Sequence, residues 1–127
     1  MSTDTESSKK TVLEFFELAF VERKPVDAAE RYMGEYTQHN PDVADGKDAF
    51  IAAIGGMFAA FPDFSIDRKR VIAEGDLVAI HSHVRMNKED RGMAVADIFR
   101  VADGKIVEHW DILQPVPETP ANSNTMF

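Results

Sequence analysis

The sequence predicts an α+β fold in which three N-terminal helices pack on a strongly curved antiparallel sheet. Three observations carry this expectation. Apolar residues recur at spacings of three and four up to Pro62 and at alternating positions after it. Turn-forming residues divide the second half into four segments of strand length, with Asp103-Gly104 the strongest two-residue hairpin signal. A chain of 127 residues that is 44% hydrophobic suits one domain with a real core and is too short for two.

The first helix spans Ser8 to Lys24, with Val12, Leu13, Phe16, Ala19 and Phe20 on one stripe and Ser7 or Ser8 as its cap. Pro25 ends it and opens a second short helix through Ala28, Ala29, Tyr32 and Met33, which Gly34 closes in a left-handed conformation. A third runs from Asp45 or Gly46 to Phe61 on the spacing of Phe50, Ile51, Ile54, Met57, Phe58 and Phe61, and Pro62 stops it. Gly55 and Gly56 weaken its middle, which calls for a close approach by another element or a bend. Strands follow over about 64–74, 77–87, 93–101 and 105–114. Residues 1–8 form a flexible N-terminal tail, 9–114 the single domain, and 115–127 an extended tail with Pro115, Pro117 and Pro120.

Charge and composition exclude several functions. The net charge is −8, which argues against nucleic acid and against anionic lipid. No apolar stretch approaches the ~20 residues a membrane helix needs, and the polar start MSTDTESSKK has no signal-peptide core, so a soluble, cytoplasmic protein is expected. With no cysteine, disulfides, thiolate catalysis and zinc-finger chemistry are out.

The hairpin count locates the chemistry. With Asp103-Gly104 as a two-residue turn, Ala102 faces Lys105, Val101 faces Ile106, Phe99 faces Glu108 and Asp97 faces Trp110. Asp97 then lies beside an indole, with Val95, Phe99 and Ile112 around it. Desolvation there raises its pKa toward the range useful for proton transfer. The alternative is a structural Asp97 held by an amide or an arginine. By parity His109 and Asp111 point away, toward Arg100, and Glu108 sits at a rim.

Alternation puts Ala79, His81, His83 and Arg85 on one strand face. The two histidines can donate to an enolate-like oxygen, relay protons with Asp97, or serve an interface or the core. As a metal pair they would need further ligands from His39, Asp97 or His109, so no metal is expected. His39 lies in Tyr36-Thr37-Gln38-His39-Asn40-Pro41, a turn segment that faces either a cavity or solvent.

That last segment, together with Ala96-Asp97-Ile98-Phe99-Arg100-Val101 and Asp103-Gly104-Lys105-Ile106-Val107-Glu108-His109-Trp110-Asp111, resembles the SnoaL-like polyketide cyclases over roughly Lys9 to the C-terminus. The resemblance places the chain among the nuclear-transport-factor-like α+β cones, which include ketosteroid isomerases and limonene epoxide hydrolases. It implies a bent sheet, a deep apolar pocket and a cofactor-free intramolecular aldol condensation. Carried over by position, Asp97 is the acid/base, His83 and His39 hydrogen-bond within the pocket, and Trp110 is its wall, with Phe99, His81, Phe58 and Tyr36 beside the substrate. The expected ligand is a small apolar carbonyl compound, and the alternative is a binding protein without catalysis. The Asp-Arg-Asp arrangement of the epoxide hydrolases is not expected, because parity turns Arg100 and Asp111 away from Asp97. Apolar residues on both strand faces call for a homodimer through the sheet.

Overall fold

A computed structural model describes residues 4–127. The elements in chain order are α1 (Thr5–Phe16), a single π-helical turn (Glu17–Val21), α2 (Pro25–Tyr32), β1 (Met33–Gln38), α3 (Lys47–Ala60), β2 (Ser65–Glu74), β3 (Leu77–Arg85), β4 (Met93–Ala102) and β5 (Lys105–Pro115). The α+β class is as the sequence predicts, but the helices do not all precede the strands: β1 comes between α2 and α3.

Of the N-terminal tail expected over residues 1–8, residues 1–3 lie outside the described residues and 4–8 form the cap and first turn of α1. Asp4, rather than either serine, is the cap: its carboxylate accepts from the Ser7 backbone N–H at 3.2 Å. The π turn carries the apolar stripe onward, burying Leu18 and Ala19. Pro25 then sits in the first turn of α2, where its missing N–H costs nothing.

The sheet has five strands in the order β1-β5-β4-β3-β2. β1 runs parallel to β5 and the other neighbours are antiparallel, so the sheet is mixed rather than antiparallel. β1 escaped the sequence reading because its two buried residues, Met33 and Tyr36, are three apart and break the alternation of a strand. Gly34 is a strand residue and does not close α2 in the left-handed region. A Cβ there would lie 3.3 Å from both Lys105 Cβ and Val107 Cγ1, so the glycine lets β1 come close to β5.

Asp103 (φ 51°) and Gly104 (φ 74°) both adopt positive φ, the backbone of a primed hairpin turn. One face of the sheet carries Val78, Ile80, Phe99, Val101 and Ile106, and α1 lays Val12, Phe15 and Phe16 on it. Each such side chain, fully buried, contributes about 1.5–3 kcal/mol. α3 stands further off. It is apolar nearly throughout, yet Phe50 alone is fully buried, and Ile51, Ile54, Met57 and Phe58 are half-exposed. A Cβ added at Gly55 or Gly56 meets nothing within 4 Å, so neither serves the close approach expected of it.

The tail leaves β5 with the Val116 N–H donating to Gly92 O at 2.9 Å and then runs without regular structure. Phe127 returns to stack on His83, ring centroids 4.1 Å apart. Among the described residues no helix is long and apolar enough to cross a membrane.

Candidate active site

Residues directly opposite in an antiparallel pair share a face, so the register of β4 against β5 decides what surrounds Asp97. Ala102 pairs with Lys105 and Val101 with Ile106, as the hairpin count gives. The next pair is Arg100 with Glu108, which leaves Val107 unmatched in a β-bulge. Every later pair is displaced by one: Phe99 with His109, Ile98 with Trp110 and Asp97 with Asp111. The bulge exchanges the two faces of β5. His109 and Asp111 join Asp97 on the helix-covered face, and Trp110 turns to the outer one.

Asp97 is flanked along β4 by Val95 and Phe99 and laterally by Ile80 of β3. Its Oδ1 lies 2.8 Å from His109 Nε2, and the two side chains are 13% and 10% exposed. His109 Nδ1 lies 2.7 Å from Gln38 Oε1. The imidazole packs against Phe99, centroids 4.8 Å apart, and stacks on Tyr36 at 6.4 Å. Asp111 accepts from Asn40 Nδ2 at 3.0 and 3.1 Å. Burial is the main cause that holds the Asp97 carboxyl above the ordinary carboxylate range; the His109 hydrogen bond opposes it and the Asp111 charge adds to it. Burial likewise pushes the Tyr36 phenol up, so it stays a hydroxyl donor.

Donor atoms of Asp97, His109 and Asp111 lie within 4.8 Å of one another. Within this cluster Nε2 of His109 and Oδ1 of Asp97 already face each other at hydrogen-bond distance. Among the described residues no lysine or arginine forms an ion pair with either aspartate.

Several expected site residues lie elsewhere. His81 and His83 alternate with the buried Ile80 and Ser82 and stand on the outer face, opposite Ala96 and Ala94. There His81 meets the Arg70 guanidinium, and His83 Nε2 donates to Arg91 O at 2.8 Å. Neither reaches Asp97. His39 stacks on Trp110 of the outer face at 4.8 Å and 2°, with its Nε2 2.7 Å from Glu108. Glu108 also accepts from Arg100 Nε at 3.0 Å, and Arg100 Nη1 reaches Asp76 at 2.8 Å, so Arg100 pairs with these acids and not with His109 or Asp111. The His39 and Arg100 contacts pull the Glu108 carboxyl below its ordinary range. Trp110 is therefore no wall of the Asp97 site. Phe58 packs on Phe64 in a separate cluster with Val84 and Val95.

Asp97, Phe99 and Tyr36 do lie together, around the His109 imidazole. Missed were His109, Asp111, Gln38 and Asn40. Their only trace in the sequence is the alternation of His109 with Asp111, which the unread bulge assigned to the wrong face. Arg100 does point away from Asp97, whereas Asp111 does not, so the Asp-Arg-Asp arrangement fails on the arginine alone.

Residues 12–109 match the family model described as a SnoaL-like domain. The chain belongs to the SnoaL-like family. Solved structures share its fold at low identity. TsrD from Streptomyces laurentii is 24% identical over 87% of this chain and 90% of its own, with a TM-score of 0.69. A candidate ketosteroid isomerase from Kribbella flavida is 17% identical over 94% and 87%, with a TM-score of 0.74. IdmH, a candidate polyketide cyclase from Streptomyces antibioticus, is 21% identical over 84% and 91%, with a TM-score of 0.65. No curated protein matches the sequence. In this SnoaL-like chain the α+β architecture is thus the part shared with these structures.

Proposed function

We propose that this SnoaL-like protein is a small cofactor-independent enzyme of the cyclase or isomerase type, performing acid–base chemistry on an apolar carbonyl compound. The observation that supports this best is the Asp97–His109 contact of 2.8 Å on an apolar sheet face, where burial raises the affinity of Asp97 for a proton. In this reading Asp97 removes a proton from the carbon next to the carbonyl. The C–H bond breaks, its electron pair becomes the enolate, and an O–H bond forms on Asp97. The enolate then attacks a second carbonyl of the same molecule, or is reprotonated at another carbon. Asp97 returns its proton to the product, and no proton is gained or lost. The Tyr36 hydroxyl, which accepts from Gln38 Nε2 at 3.2 Å, keeps its own hydrogen to offer to the developing oxyanion. The half-exposed Ile51 and Ile54 of α3, which pack on the core beside Tyr36 and Phe99, would receive the rest of the ligand.

Those same α3 residues favour a second reading, a binding protein that holds an apolar ligand without transforming it. Incubating the protein with cyclic ketones and 1,3-diketones in deuterium oxide separates the two. Exchange at the carbon next to the carbonyl that disappears in Asp97→Asn supports the enzyme; binding without exchange leaves the second reading.

The outer sheet face exposes Ile72 and Ile112 by 67% and 68%, and we assign to it the contact with a second copy.

A further inference from the structure

The polar groups around Gln38 can be counted to completion, and the count decides which nitrogen of His109 carries hydrogen. Gln38 Oε1 lies 3.1 Å from the Asn40 backbone nitrogen and 2.7 Å from His109 Nδ1. A backbone N–H is always a donor, so the Gln38 atom facing it is the carbonyl oxygen and the amide orientation is determined. Its Nε2 donates to the Tyr36 hydroxyl at 3.2 Å, and its backbone N–H donates to Asp45 Oδ1 at 2.7 Å, which pins the residue at both ends. The carbonyl oxygen has two lone pairs. One takes the Asn40 N–H, and the other faces Nδ1 of His109, which must therefore carry hydrogen.

With Nδ1–H committed, Nε2 of a neutral His109 is an acceptor. The 2.8 Å contact with Asp97 Oδ1 is then a hydrogen bond only when one proton lies between the two residues. We propose that Gln38 is a positioning residue that fixes the Nδ1–H tautomer of His109 and so obliges Asp97 and His109 to share a single transferable proton. That proton resides on Asp97 against a neutral imidazole, or on Nε2 against the carboxylate. In the opposite tautomer, a neutral Nε2–H would donate to an Asp97 carboxylate, and the pair would have no proton to lend. Gln38 thereby makes the site both an acid and a base.

Groups from each packed element face this pair. β1 contributes Tyr36 and Gln38, β3 Ile80, β4 Val95 and Phe99, and β5 Asp111, while Phe15 of α1 and Phe50 of α3 close the ring of aromatic neighbours. Of these only Asp111 carries a charge, and Asn40 Nδ2 satisfies it. The inference rests on the acid–base reading given above for its chemical meaning, but not for its test.

The test is nitrogen NMR on the full chain labelled with ¹⁵N-histidine, with His109 assigned by comparison with His109→Gln. In the wild type the long-range couplings place hydrogen on Nδ1. Gln38→Leu removes the acceptor, and the Nε2–H form becomes the major neutral tautomer, a change of about tenfold or more in the tautomer ratio, corresponding to about 1.4 kcal/mol. Gln38→Glu keeps an acceptor oxygen and restores Nδ1–H. An Nε2–H tautomer in the wild type overturns the proposal even if Gln38→Leu does not fold. So does a folded Gln38→Leu that keeps Nδ1–H. Deuterium exchange of carbonyl compounds is a separate readout: its absence alongside a switched tautomer rejects the enzymatic reading and leaves the role of Gln38 standing.

Discussion

Val107 Cγ1 would lie only 3.3 Å from a Cβ built on Gly34, so the one unmatched residue of β5 is packed directly over the glycine of β1. The parallel pairing of β1 with β5 steps at the same place, from Met33 opposite Ile106 to Thr37 opposite Glu108. The bulge that turns His109 toward Asp97 is thus embraced by a neighbouring strand. Gly34→Val crowds it and is expected to cost about 1–3 kcal/mol in urea unfolding. It also displaces the histidine signals in NMR, whereas an unchanged His109 environment would separate the bulge from the β1 contact.

Asp97→Asn removes the carboxyl but leaves an amide whose N–H₂ can donate to His109 Nε2. Folding is therefore expected to survive while proton exchange of a carbonyl ligand falls by about 10²–10⁴-fold. Matching far-ultraviolet circular dichroism spectra alongside the kinetics would check both halves.

His109→Ala and His83→Ala distinguish the two faces of the sheet. The first is expected to lower exchange by a comparable factor, because it removes the partner of Asp97. The second is expected to leave it within about twofold, since His83 bonds Arg91 O on the outer face. Equal losses in both variants would contradict the facing described above.

Stability should vary with pH through Asp97. Its folded-state pKa is raised, so it contributes stability that is fully present below the ordinary carboxylate value of about 3.9 and is lost as pH rises through the folded value. Denaturation of wild type and Asp97→Asn over a pH series should accordingly show the variant gaining relative stability above that lower limit. A constant difference would mean that Asp97 titrates alike folded and unfolded.

Two packing sites allow independent checks of the fold. Gly92 has φ +82°, and a Cβ there would meet Val84 O at 2.3 Å, so Gly92→Ala is expected to destabilise by about 2–4 kcal/mol. Ser8 is fully buried in α1, and among the described residues its hydroxyl has no partner. Ser8→Ala should stabilise by about 0.5–2 kcal/mol, as thermal and urea unfolding would report.

Ile112→Lys places a charge on the outer face, where Ile112 is 68% exposed. Light scattering should show a dimeric wild type and a monomeric variant; a monomeric wild type would remove the assignment of that face to a second copy.

Residue patterning by itself determined the fold class, the three helices, four of the five strands and the positive-φ hairpin at Asp103-Gly104. Each of these is written in spacing or turn chemistry within a few neighbours. What surrounds Asp97 was decided only by tertiary structure. Strand parity depends on every residue between the turn and the site, and one bulge at Val107 exchanged Trp110 for Asp111 opposite Asp97 and Glu108 for His109 opposite Phe99. β1 is invisible to alternation because its register step separates Met33 from Tyr36, yet it brings Gln38 and Asn40 to the site. Such contacts join residues some 70 positions apart, as between Gln38 and His109, and no local rule encodes them: they form only when a strand from the helical half closes the edge of the sheet.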